Sequence, residues 1–320
     1  MKRVYAIGEL LVDFVCTDVD TDLEHGVNYV RKPGGAPANV CAVICTLGGT
    51  ASFIGCVGDD PFGRYLLTSL QEFGVDTSLC RRDRGKATTL AFVSLMSGGE
   101  RDFTFSRGAD AHLELDDVRK IRFGADSVVH FGSATAYLGG GLLEAYTFAL
   151  HTAYESGALI CLDPNYRAGL WHRKKREFVS HIRKHLPMAD IVKVSEEELY
   201  LVSGTESMDS GLKELHHAGA RHVAVTRSSR GVLYSTQDYR LEVPSIPVEA
   251  VDSTGAGDAF VGAMLHFLSK AESIRHTLSD PVCMRSVLEF ANTVAALVCT
   301  KHGAMSAIPS RDEVYERLNG

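Results

Sequence analysis

Residues 251–260, VDSTGAGDAF, combine residue types that suit phosphate chemistry. Gly255, Ala256 and Gly257 lie between an extended run that ends in VEAV and the apolar helical run FVGAMLHFL, at a predicted strand-to-helix junction. Glycines let several backbone N–H groups converge on one point, and a helix N-terminus adds partial positive charge. The loop therefore predicts a site for an oxyanion such as a phosphate.

Asp258 follows this loop directly and is predicted to lie in the first turn of the helix. A carboxylate there also complements the helix dipole, and this alternative stays open. Asp252 and Thr254 favour a catalytic interpretation, because two carboxylates and a hydroxyl beside an anion loop would hinder simple phosphate binding. Such a carboxylate is expected where a nucleophile that attacks the phosphate must lose a proton.

The loop matches neither of two common nucleotide-binding patterns. The chain contains no G-x-x-x-x-G-K-[ST] sequence, so it is not a P-loop NTPase. A dinucleotide fingerprint would need a third glycine where Phe260 stands, and AIGELLVDF supplies none after the first strand. A nicotinamide-dependent oxidoreductase is therefore excluded.

A second glycine pair lies near the N-terminus in PGGAPANVC, residues 33–41. Gly34 and Gly35 permit a close backbone approach, and Asn39 is predicted to begin a helix. Its amide has a donor and an acceptor, which suits vicinal hydroxyls, although a helix cap is the alternative. Asp13 is predicted to follow the first strand, where α/β sheets place ligand contacts, and a surface turn is the alternative.

Two further strand ends carry polar side chains. LDPNYR (162–167) places Asp163, Asn165 and Arg167 after one strand, and the guanidinium of an arginine matches phosphate geometry. VKVSEEE (192–198) ends the next strand, with a helix predicted to begin between Lys193 and Glu198.

Short apolar runs alternate with helical patterns along most of the chain. The runs that predict buried strands are VYAIG (4–8), FIGCVG (53–58), SVVHFG (127–132), ALICLD (158–163), DIVKVS (190–195) and HVAVT (222–226). Strand–helix alternation predicts a mostly parallel sheet covered on both faces, which is an α/β class with a three-layer core. GVLYS and YRLEVP predict a hairpin after the last of these strands.

One region breaks the alternation. TTLAFVSLMSGGERDFTFS (88–106) predicts a hairpin that turns at Gly98 and Gly99, and segment 10–32 lacks helical periodicity. Together these segments predict a small sheet that lies off the main one as a lid. An ordinary edge hairpin of the main sheet is the alternative.

Composition narrows the class of protein. The 320 residues suffice for one large domain, and the formal net charge of −7 argues against a nucleic-acid-binding protein. Eight scattered cysteines form no zinc pattern and suit a reduced, cytoplasmic setting. Glu9 and Asp13 interrupt the N-terminal apolar run, so we expect neither a signal peptide nor a membrane span.

GGAPANV and DSTGAGDAF, in this order and spacing, resemble the two signature motifs of the PfkB, or ribokinase-like, carbohydrate kinases. The resemblance runs over essentially the whole chain, and GELLVDF, DPNYRAGLW and KVSEEEL are most similar to the fructokinase branch. It implies one ribokinase-like α/β/α domain over residues 1–320, with a lid from about 10–35 and 87–110. It also implies transfer of the γ-phosphoryl group of ATP to a sugar hydroxyl.

The resemblance also implies roles for individual residues. Asp258 would be the general base, Gly255, Ala256 and Gly257 the anion hole, and Arg167 an arginine that reaches toward sugar or phosphate. The implied sugar contacts are Asp13, Gly34, Gly35, Asn39, Arg107 and Asp258. The implied nucleotide contacts are Lys193, Ser195, Thr226, Ser228, Gly231, Gly255, Gly257 and Asn292. A monovalent-cation site would comprise Asp252, Thr254, Val298, Lys301 and Gly303, and Glu198 would hold Mg²⁺ through water.

Two residues depart from the family pattern. Ser195 stands where the K-x-N-x-x-E motif has Asn, and its reach is shorter than that of an amide. Ser228 replaces the first glycine of the nucleotide loop, and a left-handed conformation there would cost about 1 kcal/mol.

The expected ligands are a sugar, ATP, Mg²⁺ and K⁺, with neither nucleic acid nor membrane as a partner and a possible homodimer through the lid. Alternatives on the same scaffold are aminoimidazole riboside kinase, ribokinase and 2-keto-3-deoxygluconate kinase. A non-catalytic sugar-binding regulator is a further alternative, but it would have no need for the carboxylate of Asp258.

Overall fold

The structure, a computed structural model, describes residues 2–95, 101–171 and 173–319. Thirteen strands occur in the described residues. In chain order they are β1 (Val4–Ile7), β2 (Leu11–Cys16), β3 (Tyr29–Gly34), β4 (Ala51–Gly58), β5 (Cys80–Asp83), β6 (Leu90–Leu95), β7 (Arg101–Ser106), β8 (Val128–Gly132), β9 (Leu159–Asp163), β10 (Ile191–Ser195), β11 (His222–Thr226), β12 (Val232–Ser235) and β13 (Arg240–Val243).

Twelve α-helices occur in the same residues. They are α1 (Ala36–Thr46), α2 (Pro61–Glu72), α3 (Leu115–Val118), α4 (Gly141–Glu155), α5 (Ala168–Trp171), α6 (Lys175–His185), α7 (Glu196–Ser203), α8 (Met208–His217), α9 (Ala256–Lys270), α10 (Ile274–Ser279), α11 (Pro281–Val298) and α12 (Arg311–Asn319).

Nine strands form the main sheet in the order β13-β12-β11-β10-β9-β8-β1-β4-β5. All neighbours are parallel except at one edge, where β12 pairs antiparallel with both β11 and β13 and forms the predicted hairpin with β13. The six buried strands predicted from short apolar runs are confirmed as β1, β4, β8, β9, β10 and β11. Every residue of β4, β8 and β9 is buried, as expected for strands covered on both faces.

Two apolar cores cover the two faces of this sheet. One packs α1, α2, α9 and α11 against one face, and the other packs α4, α6, α7 and α8 against the opposite face. The three-layer α/β/α prediction is therefore confirmed. Among the described helices, α11 alone has the length and apolar composition to cross a membrane, and 56% of it is buried in the protein, as in a core helix.

The remaining four strands form a separate sheet in the order β3-β2-β6-β7. Strand β6 pairs with β2 in parallel and with β7 antiparallel, and among the described residues neither β6 nor β7 pairs with the main sheet. The small sheet is confirmed, and the edge-hairpin alternative is wrong. The predicted turn at Gly98 and Gly99 lies outside the described residues.

Two predicted boundaries were wrong. Residues 244–250 form no strand, so the anion loop joins an irregular segment, not a strand, to α9. Helix α1 begins at Ala36 and not at Asn39, because Gly35 adopts a positive φ of 112° as the cap and Pro37 suits the first turn. Asn39 therefore has its backbone within the helix, and its amide is free for another role than capping.

Candidate active site

A cleft of about 860 Å³ separates the small sheet from the polar ends of the main-sheet strands. Side chains of β2, β3, β6 and β7 line it on one side. Residues that follow β9 and β10, together with the loop before α9, line it on the other. The predicted site residues among the lining are Asp13, Gly35, Asn39, Arg167, Lys193, Ser195, Glu198, Asp252, Thr254, Gly255, Gly257, Asp258 and Gly303.

Asp258 lies in the first turn of α9 and is only 7% exposed. The amide Nδ2 of Asn39, which is 219 residues away in sequence, donates to Asp258 Oδ2 at 2.7 Å. Burial raises the pKa of Asp258 to about 6, although the Asn39 hydrogen bond and the nearby Arg167 charge act against the rise. The carboxylate is therefore mostly ionised at neutral pH and close to the range of an efficient general base.

The loop before α9 presents backbone N–H groups beside this carboxylate. Gly255 has a positive φ of 79°, and a Cβ there would lie 2.5 Å from Ala304 Cβ, so only glycine fits. Helix α9 then begins at Ala256, whose N–H donates to the Ser253 carbonyl at 3.2 Å, and the following amides of its first turn have no partner within the helix. This geometry supports the anion-hole interpretation of residues 255–257.

A buried ion pair adds positive charge to the same end of the cleft. Lys193 Nζ lies 3.4 Å from Asp163 Oδ2, and a Cβ at Gly257 would lie 3.2 Å from that nitrogen. Burial acts to lower the pKa of Lys193, but the carboxylates of Asp163, Glu198 and Asp258 outweigh it and raise the pKa. The lysine therefore stays charged beside the anion loop.

Asp13 faces the cleft from the middle of β2 in the small sheet, and not from a turn after the first strand. A Cβ at Gly34 of the neighbouring β3 would lie 2.0 Å from Asp13 Oδ2, so the carboxylate fills the space that the glycine leaves. Burial raises the pKa of Asp13 to about 6, while the charges of Arg167 and Lys32 oppose this and Asp258 adds to it. Asp13, Arg167 and Asp258 thus form one electrostatic group.

Sequence reasoning missed Glu9, which also lines the cleft and is 3% exposed. Its Oε1 accepts the Ala36 N–H at 3.1 Å, and burial raises its pKa to about 7. The available signal was an acid two residues beyond the end of β1. Lys32 of β3, which lines the cleft from a partly exposed strand, was also missed.

Arg107 does not line the cleft. Its Nε donates to Asp110 Oδ2 at 3.2 Å, and a terminal nitrogen donates to the Thr135 carbonyl at 3.1 Å. Thr135 itself lines the cleft. Any effect of Arg107 on a bound sugar in this arrangement would pass through Thr135.

Ser195 and Glu198 cap helix α7 reciprocally. Ser195 Oγ accepts the Glu198 N–H at 3.1 Å, and Glu198 Oε2 accepts the Ser195 N–H at 2.7 Å. The other oxygen of Glu198 accepts the Tyr166 N–H at 2.7 Å. Both residues are thus fixed at the cleft wall by their local hydrogen bonds.

Four predicted nucleotide residues lie outside the cleft lining, toward the β11–β13 edge. Thr226 is the last residue of β11 and pairs with Ser195 of β10. Ser228 has a left-handed φ of 51°, a conformation that is costly for serine and that the glycine of the family pattern would adopt freely. Gly231 and Asn292 meet at one place. A Cβ at Gly231 would lie 2.1 Å from the Val243 carbonyl oxygen, to which Asn292 Nδ2 donates at 3.0 Å.

The two segments of the predicted cation site are hydrogen-bonded to each other. Asp252 Oδ1 accepts the Thr254 hydroxyl at 2.6 Å, and its Oδ2 accepts the Gly303 N–H at 2.9 Å. The Asp252 N–H donates to the Cys299 carbonyl at 3.1 Å, and the Val298 carbonyl accepts the Lys301 N–H at 3.3 Å. Hard oxygen atoms are therefore gathered beside the anion loop, which fits a monovalent cation.

The parallel main sheet, the small covering sheet and the carboxylate behind an anion loop define a ribokinase-like sugar kinase. The profile of the pfkB family carbohydrate kinases matches residues 1–311, and this chain belongs to that family. Fructokinase-1 of Oryza sativa subsp. japonica is 40% identical over 99% of this chain and 98% of its own length.

Solved structures agree with this assignment. A double mutant of the Vibrio cholerae O395 fructokinase, in its fructose, ADP and potassium ion bound form, has a TM-score of 0.86 and 34% identity over 99% of this chain and 98% of that one. The Salmonella enterica aminoimidazole riboside kinase, complexed with aminoimidazole riboside and an ATP analog, has a TM-score of 0.83 and 29% identity over 99% of this chain and 100% of that one.

Proposed function

We propose that this chain is an ATP-dependent fructokinase, which transfers the γ-phosphoryl group of ATP to a hydroxyl of D-fructose. The buried Asp258 carboxylate, held by Asn39 at 2.7 Å directly behind the anion loop, is the observation that carries the proposal. Full-length similarity to fructokinases supports fructose as the sugar.

Asp258 takes the proton of the sugar hydroxyl as that oxygen attacks the phosphorus atom. A carboxylate with a pKa of about 6 is ionised at neutral pH and still basic enough to help. The N–H groups of residues 255–257 and the Lys193 ammonium stabilise the charge that spreads over the transferring phosphoryl group.

The polar atoms of the cleft suit a sugar rich in hydroxyls. Asn39 Oδ1 is buried and has no hydrogen-bond partner among the described residues, so it is an acceptor that a sugar hydroxyl would satisfy. Asp13, which is largely ionised at neutral pH, can accept another hydroxyl from the small-sheet side. Buried hydroxyl partners of this kind discriminate strongly against sugars that leave them unmatched.

Mg²⁺ and K⁺ fit the residues around the phosphate end. Glu198 lines the cleft and would be an outer contact of an Mg²⁺ ion that is held mainly by phosphate and water. Magnesium would neutralise phosphate charge. Potassium near Asp252 and Thr254 would fix the geometry of the anion loop without touching the sugar.

The small sheet would act as a lid, since its strands supply one wall of the cleft. Closure would exclude water from the phosphoryl group and so limit ATP hydrolysis.

Val27 and Val30, at the β3 edge of this sheet, are exposed, and we assign this edge to a homodimer contact. A monomer in sedimentation analysis would contradict the dimer. The cytoplasm is the proposed location, testable by cell fractionation.

A coupled assay of ADP release across D-fructose, ribose, glucose, 2-keto-3-deoxygluconate and aminoimidazole riboside tests the proposal. We expect D-fructose to give the highest kcat/KM. Aminoimidazole riboside kinase is the second candidate, because a structure of that activity matches the whole chain. If kcat/KM for ribose or the riboside exceeds that for D-fructose more than about tenfold, fructose is not the substrate, because a site with buried hydroxyl partners discriminates by more than this factor. Sugar binding without ADP release would indicate a regulator.

A further inference from the structure

Asn165 has a buried amide group whose nitrogen lacks a partner. The residue follows β9, lines the cleft and is 4% exposed, and its Nδ2 has no hydrogen-bond acceptor among the described residues. A buried donor left unpaired destabilises the protein, because it has lost its hydrogen bonds to water without gaining others. Its backbone also has a left-handed φ of 47°, which asparagine tolerates better than most residues. Both features are expected where a bound ligand completes the site.

The hydrogen-bond partners of Asn165 and its neighbours place it at the phosphate end of the cleft. Its backbone N–H donates to Asp163 Oδ1 at 3.1 Å, and Asp163 is the partner of Lys193 beside the anion loop. The next residue, Tyr166, donates its N–H to Glu198. Asn165 therefore stands between the Lys193 ion pair and Glu198, where the ligand is expected to be a phosphate.

Position 195 explains why an amide is needed from elsewhere. The carbohydrate-kinase pattern has Asn there, but this chain has Ser195, whose oxygen already accepts the Glu198 N–H. Strands β9 and β10 are parallel, with Ile191 level with Cys161. The residues that follow the two strands therefore lie at the same edge of the sheet, and Asn165 and Ser195 both line the cleft there. The amide that β10 lacks is thus available from the residues that follow the neighbouring strand.

We infer that the Asn165 side chain donates a hydrogen bond to an oxygen of the transferring γ-phosphoryl group of ATP, in place of the amide missing at position 195. The nitrogen is a donor without an acceptor, and a phosphoryl oxygen is an acceptor that strengthens as charge develops on it. Asn165 is therefore a catalytic residue that contacts the nucleotide, and this role rests on the proposed kinase activity.

Two variants keep the left-handed backbone and remove the donor. Asn165→Asp preserves size but replaces the donor with a carboxylate that repels phosphate, and Asn165→Gly removes the side chain. We expect Asn165→Asp to lower kcat/KM for ATP about 100-fold or more, a typical loss for one transition-state donor. Affinity for a non-hydrolysable ATP analogue, measured by calorimetry, should fall about tenfold, while ADP and fructose affinities change less than about threefold.

Rescue separates this role from a structural one. Ser195→Asn in the Asn165→Gly background restores an amide on β10, and Asn still caps α7. We expect kcat/KM of the double variant to be about tenfold higher than that of Asn165→Gly alone. If kcat/KM does not rise, the two positions are not equivalent. A wild-type protein that phosphorylates sugars while Asn165→Asp retains its kcat/KM and analogue affinity would overturn the inference. An inactive wild type would instead overturn the proposed kinase function.

Discussion

The Asp258→Asn substitution removes the proposed base while it preserves the shape of the site. The amide oxygen of the new Asn can still accept the Asn39 Nδ2 hydrogen bond that Asp258 Oδ2 accepts at 2.7 Å. The first turn of α9 keeps a polar side chain, and the anion loop at 255–257 is untouched. A change in rate can therefore be assigned to the lost proton acceptor.

The expected loss follows from the chemistry of the carboxylate. General-base catalysis contributes about 10²–10⁴-fold, which corresponds to about 3–5 kcal/mol of transition-state stabilisation. The pKa of about 6 also sets a pH profile for the wild type. About 91% of Asp258 is ionised at pH 7 and about 9% at pH 5, so kcat/KM, which reports the ligand-free enzyme, should fall about tenfold as pH decreases between these values.

The assay compares kcat by coupled ADP release and fructose Kd by calorimetry for both forms. Asp312→Asn is a matched control, because Asp312 lies exposed in the first turn of α12, away from the cleft. We expect this control to keep wild-type kcat. If Asp258→Asn retains more than about a tenth of wild-type kcat, Asp258 is not the base, and its role reduces to complementing the helix dipole.

Two further predictions concern stability and the cation. Glu9→Gln should raise the free energy of unfolding by up to about 3 kcal/mol at pH 8 and by little at pH 4. The reason is that burial raises the Glu9 pKa from 4.5 to about 7, so the wild-type protein loses stability as pH rises through that window. If the substitution shifts the urea-denaturation midpoint equally at both pH values, this prediction is wrong. Turnover should be faster in potassium than in tetramethylammonium at fixed Mg²⁺, and Asp252→Asn should reduce that difference; equal wild-type rates in both salts would refute the cation site.

Local sequence patterns predicted the frame of the protein. The six buried strands, the β12–β13 hairpin and the small sheet follow from side-chain periodicity and turn residues, which act over a few neighbours. The turn before α9 was predictable for the same reason, since Gly255 adopts the positive φ that glycine permits, and the anion-hole role of residues 255–257 stays a prediction. The strand assigned before this loop was wrong, because an extended composition alone does not supply a pairing partner.

Long-range packing decided which of these side chains form a site. Asn39 and Asp258 meet only because α1 and α9 pack together on one face of the main sheet. In the sequence, Glu9 only interrupts an apolar run, whereas in the fold it is buried and accepts the Ala36 N–H.

The sequence by itself determined the strand–helix order, the glycine turn before α9 and the acid behind it, because backbone propensity and periodicity are local properties. Only the tertiary structure decided that Asp258 has a raised pKa and that the Asn165 amide faces the cleft without a partner. Desolvation depends on all the atoms that surround a group, and for these residues the surrounding atoms come from segments far apart in the chain.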